Sequence, residues 1–94
     1  MNKSIDIEYI IRLLIQQEPQ RTDIIEALLK VSSGKWTSAG YYSFVDSKNA
    51  NHPGAAWQMD ENIVLEQEND SDIVLDILKD GRIGGIEFIG LIDQ

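Results

Sequence analysis

Apolar residues recur at helical spacing along the first third of the chain. Ile7, Ile10, Ile11, Leu14 and Ile15 fall at i, i+3, i+4, i+7 and i+8, with Glu8, Arg12 and Gln16 on the opposite side; this spacing predicts an amphipathic helix. Ser4 or Asp6 is the candidate cap for its start. Pro19 ends it by about Gln17, because the residue before a proline is pushed out of the helical region. A second helix is predicted from Pro19 or Thr22 to Ser32. Its apolar face is broad, comprising Ile24, Ile25, Ala27, Leu28, Leu29 and Val31, and Gly34 stands where a left-handed residue would end it. The short connection makes the two a helical hairpin.

Beyond Gly34 the pattern changes to strands. Tyr41, Tyr42, Phe44 and Val45 form a short strand-favouring run bounded by Gly40 and Asp46, and residues 46–56 are rich in turn formers and read as an exposed loop. A meander follows, with strands expected at Ala56 to Met59, Ile63 to Glu68, Asp72 to Lys79 and Arg82 to Ile89. Asp80-Gly81 is a preferred two-residue hairpin turn. It sets Lys79 opposite Arg82, Leu78 opposite Ile83, Leu75 opposite Ile86 and Ile73 opposite Phe88. Period-two alternation then places Ile73, Leu75, Ile77, Ile86 and Phe88 on one face. Asp72, Val74, Asp76, Leu78, Ile83, Glu87 and Ile89 fall on the other. Gly84 and Gly85 suit a bulge or close packing. The expected fold is α+β: one domain over residues 1–94, an N-terminal helical hairpin packed on an antiparallel β-meander of four or five strands.

Charge sharpens this picture. The chain has 94 residues, 16 acidic and 8 basic side chains, and a net charge of -8. The first 36 residues balance, so the whole deficit lies in the second half. Asp60, Glu61, Glu66, Glu68, Asp70, Asp72, Asp76 and Asp80 occupy a stretch of 21 residues with Lys79 as its one basic member. Such a field repels nucleic acid and anionic lipid, and it steers cationic partners; the same charge also serves solubility. The chain has no cysteine, which excludes disulfides and thiolate zinc sites and fits a reducing cytoplasm. No apolar run reaches the roughly 18 to 20 residues of a membrane helix. No secretory signal is expected, because Asp6, Glu8 and Arg12 interrupt the first apolar stretch.

The residues suggest no catalyst. His52 is the single histidine and sits in the Asn-His-Pro-Gly loop, where a solvated role is far commoner than a catalytic one. Asn69-Asp70-Ser71-Asp72 has the carboxylate density of a calcium turn but lacks the glycine and the downstream glutamate of the helix-flanked calcium loop. No lysine follows Gly81, Gly84, Gly85 and Gly90 as a phosphate loop requires. No cofactor or metal is expected. Trp36, Tyr41, Tyr42 and Trp57 are of the type that anchors protein interfaces, with the core as their other destination. The predicted partner-binding residues are Asp60, Glu61, Glu66, Glu68, Asp70, Asp72, Asp76, Glu87 and Trp57. The carboxylates steer a basic partner, while Val74, Leu78 and Ile83 supply apolar burial among them.

The segment from Asp72 to Asp93, with its strand, Asp-Gly turn and Gly-Ile-Glu strand, resembles the closing hairpin of small bacterial domains of unknown function. In size, charge and plan the chain is similar to immunity proteins of contact-dependent growth inhibition and related toxin systems. That resemblance carries over no individual residue. It implies a non-enzymatic cytoplasmic inhibitor whose acidic surface covers a basic, nuclease-type toxin domain. A structural or regulatory module that self-associates through an edge strand is the alternative, and a small enzyme the third.

Overall fold

The computed structural model describes residues 5–31, 34–45, 59–68 and 70–92. Helix α1 (Ile7–Gln17) starts at Asp6, whose carboxylate accepts the Tyr9 N–H at 3.1 Å. That bond satisfies a backbone donor which the first turn leaves without an intrahelical partner. Ser4, the other candidate cap, lies outside the described residues. Helix α2 (Thr22–Leu29) ends at Leu29 with Lys30 as its cap, three residues before Ser32, the end expected from the sequence. Gly34 therefore does not cap it, and its φ is not in the left-handed region. The glycine instead permits close approach, since a Cβ there would meet the Ser43 carbonyl and the Tyr42 and Phe44 rings.

The strands are β1 (Lys35–Trp36), β2 (Tyr41–Ser43), β3 (Met59–Leu65), β4 (Ile73–Leu78) and β5 (Ile83–Phe88), followed by a helical turn, α3 (Ile89–Ile92). They form one sheet in the order β1-β2-β5-β4-β3, and each neighbouring pair is antiparallel. The meander β3-β4-β5 is thus extended past β5 by the earlier strand β2. β3 stands for the strand expected at Ile63 to Glu68 but starts earlier, at Met59, the last residue of the strand expected at Ala56 to Met59, and has a register shift between Met59 and Glu61. Residues 56–58 lie outside the described residues.

The β4-β5 hairpin departs from the expected pairing in two places that cancel. Leu78 donates its N–H to the Arg82 carbonyl at 2.8 Å, and Gly81 donates to the Leu78 carbonyl at 2.9 Å with φ 91°. The loop is therefore Lys79-Asp80-Gly81, not Asp80-Gly81, and the pairing slips by one to Ile77 opposite Ile83. A register shift after that pair skips Gly84 and restores Asp76 opposite Gly85, Leu75 opposite Ile86 and Ile73 opposite Phe88. The bulge turns Ile83 to the core face.

Both helices cover the face carrying Ile63, Leu65, Ile73, Leu75, Ile77, Ile83 and Ile86, which pack with Ile10, Leu13, Leu14, Ile24 and Leu28. Full burial of each such side chain stabilises the fold by roughly 1.5–3 kcal/mol. Ile15 and Leu29, counted with the apolar stripes in the sequence, are 49% and 68% exposed, and Leu13 takes a core place instead. Three bonds tie α1 to the segment leaving β3. Gln17 donates to the Glu66 carbonyl and accepts its N–H, both at 2.7 Å, and the Tyr9 hydroxyl donates to Gln67 at 2.6 Å.

Candidate functional site

At the hairpin-turn end of the sheet, acidic residues are matched by guanidinium groups. Arg21, just before α2, donates to both Glu61 carboxylate oxygens at 2.7 and 2.8 Å and to Asp23 at 3.2 Å. Glu61 reaches it because it alternates with Ile63 and Leu65 and lies opposite Ile77, on the helix-covered face. The paired guanidinium holds the Glu61 and Asp23 carboxyls below their ordinary values, and the two carboxylates raise Arg21. Arg82 binds Asp80 at 2.5 and 2.7 Å and lowers it likewise. The nearby groove of about 550 Å³ is lined by both signs, Asp23, Glu26 and Asp80 with Lys30 and Arg82.

On the open face, Asp76 has internal partners. It accepts the Tyr41 hydroxyl at 2.8 Å and a short hydrogen bond from the Asn62 amide, joining β2, β4 and β3. The Tyr41 ring crosses β5 where Gly85 has no side chain, and a Cβ there would overlap the phenol. Burial and then Asp76 push the Tyr41 hydroxyl above its usual range. Glu87 is half-buried between Val74 and Tyr41 on neighbouring strands. Of the apolar members expected on this face, Ile83 is in the core and Leu78 is 2% exposed, so neither is available for a partner, while Ile89 begins α3 and is 38% exposed. Val74 is half-buried, and Val64 is 51% exposed. Asp60 is exposed at the start of β3, while Trp57 and His52 lie outside the described residues.

The opposite end of the sheet differs. The segment from β3 to β4 carries Glu66, Glu68 and Asp70 exposed and Asp72 half-buried. It borders a groove of about 370 Å³ with an apolar and aromatic wall made by Trp36, Tyr9, Phe88, Ile10 and Ile73. Asp6, Asp70 and Asp72 also line it, and none of its described lining residues is basic. Trp36 is set by an edge contact with Tyr42 (centroids 5.4 Å) and a tilted one with Phe88 (5.5 Å). Asp6 is engaged by its cap bond, Asp70 accepts the Ser71 N–H at 2.9 Å, and the Ile89 N–H holds the Asp72 carbonyl at 3.1 Å. The structure thus brings together Asp70 and Asp72 from the predicted set, with Glu66 and Glu68 on the same segment, and leaves Asp60, Glu61, Asp76 and Glu87 elsewhere.

No family model, curated protein or solved structure matches the chain.

Among the described residues, no three carboxylates or histidines are grouped as a metal ion requires. The groove offers negative charges beside aromatic surface, an arrangement suited to an extended cation with an apolar stem. No described helix is long and apolar enough to cross a membrane. Tyr9 and Asp6 line the groove without being among the residues the sequence singles out for binding. The available signal was an aromatic ring outside the helix's apolar stripe, three positions after a capping aspartate.

Proposed function

We propose that the protein is a non-enzymatic binding protein for a basic protein partner, of the kind that neutralises a nuclease-type toxin domain in the cytoplasm. The observation that carries this reading is the groove between α1, β1 and the β3–β4 segment, where carboxylates and aromatic rings line a cavity with no basic residue among the described ones. Glu66 and Glu68 extend the negative field beside it. Such a field speeds encounter with a cationic surface, and the aromatic wall supplies burial once contact is made. Inhibition follows from occupying the partner's basic surface and needs no turnover.

Affinity capture at low salt with the full chain, followed by mass spectrometry of what elutes as salt rises, tests this. The expected result is a basic domain whose capture is weakened by Asp70→Lys with Asp72→Lys and unaffected by Asp80→Lys. Recovery of nothing but further copies of the chain would instead favour self-association. One observation favours that second reading: β3 is an edge strand with Val64 exposed. Asp60 and Glu66 on the same strand and its exit oppose it, because two copies paired there would bring carboxylates together.

A further inference from the structure

We infer that the groove between Trp36, Tyr9 and Asp72 receives an arginine side chain of the partner. This rests on the reading of the chain as a binder of basic protein and names the group that anchors it. At about 370 Å³ the groove lies near the lower end of ligand-sized cavities, roughly 300–1,000 Å³, a size suited to one long side chain and not to a secondary-structure element. Its wall sets apolar and aromatic residues beside acids, and among the described residues no three acids are grouped so as to hold a metal ion. A guanidinium is planar, delocalised and weakly hydrated. It stacks on aromatic faces while donating to carboxylates at its edge, whereas a hard cation needs convergent oxygens.

The walls are already in place. Trp36 packs on Tyr42 and Phe88, the Tyr9 hydroxyl is bonded to Gln67, and the Gln67 amide in turn donates to the Ser71 carbonyl at 2.6 Å. Little ordering remains for the ligand to impose, which favours binding of even a small group. Asp72 is the principal acceptor. It is half-buried in the groove, and its backbone is pinned by Ile89, while Asp6 and Asp70 each use one oxygen in a local turn.

The test uses the ¹⁵N-labelled full chain titrated with N-acetylarginine methylamide, following the Trp36 indole signal identified by its loss in Trp36→Phe. The expected result is a saturable shift, with the neutral isostere N-acetylcitrulline methylamide binding about fivefold more weakly or worse. Asp72→Asn is expected to weaken the arginine probe by a similar factor, while Glu68→Gln, outside the groove lining, changes it less than about twofold. Equal response to the citrulline compound, no saturable shift, or an unchanged titration in Asp72→Asn would overturn the proposal. If basic-domain capture persists while the arginine probe fails, the binding-protein reading stands and the arginine anchor falls. Failure of capture with a positive probe titration removes the macromolecular reading and leaves a guanidinium site.

Discussion

The two ends of the sheet carry similar numbers of acids and put them to different uses. At the hairpin-turn end, Glu61, Asp23 and Asp80 are held by Arg21 and Arg82, and Lys30 and Lys79 stand nearby. At the β3–β4 end, Glu66, Glu68, Asp70 and Asp72 follow one another along a segment with no basic side chain, beside a groove that has none among the described residues. Pairing turns a carboxylate into part of the scaffold; an acid left facing solvent beside aromatic surface is positioned to meet a cation from elsewhere. A count of charge along the chain does not separate these uses, which depend on which strand faces which arginine.

The largest effect that would sharpen the comparison is kinetic. Asp70→Lys with Asp72→Lys is expected to slow association with the basic partner about tenfold or more at low salt, with little change in thermal midpoint. The same reversal at Asp80 should change association far less, and equal effects from both ends would erase the distinction. Next comes Asp76→Ala, which strands a partly buried tyrosine hydroxyl and the Asn62 amide. It should cost about 1–3 kcal/mol, and each 1 kcal/mol appears as a fall of about 4–8 °C in midpoint for a domain of this size. Tyr41→Phe should cost about 1 kcal/mol and remove the late phase from an alkaline absorbance titration. The raised Tyr41 value implies that its contribution is intact below the unfolded tyrosine value of about 10 and is lost as pH rises through the higher folded one.

The smallest effect belongs to the arginine pairs, which are partly solvent-screened. The lowered folded values of Glu61, Asp23 and Asp80 mean that their contributions are present above the unfolded range of about 3.9–4.3 and are lost as pH falls through the lower folded values. Arg21→Gln should therefore lower the midpoint slightly at neutral pH and flatten its decline in acid. Asp72→Asn, by contrast, should leave the midpoint at neutral pH where it is.

Local patterns were legible in the sequence where local physics decides them. The α1 stripe, its end before Pro19 and the alternation along Ile73, Leu75 and Ile77 all reappear in the fold. The distal hairpin pairing was also correct, but through two compensating departures: Gly81 closes a three-residue loop, and Gly84 bulges to restore the register. Ile83, between them, is where the cancellation fails, and it moves to the core. Pairing of β2 with β5 was not legible, because it depends on a contact between residues more than 40 positions apart whose side chains carry no shared local signal. The groove was partly legible. Asp70 and Asp72 stood out by charge and Trp36 by type, while Tyr9 and Asp6 join them through the packing of α1 against the β3 exit.

The central claim, that a basic partner docks at the β3–β4 end, is tested most directly by mapping backbone and indole signals of the labelled chain as the captured basic domain is added. Perturbations are expected to concentrate at Tyr9, Trp36, Gln67, residues 70–73 and Phe88, and to weaken as salt rises. Perturbations centred on Asp80 to Ile83, or on Val64 and Val74 of the open face, would contradict it.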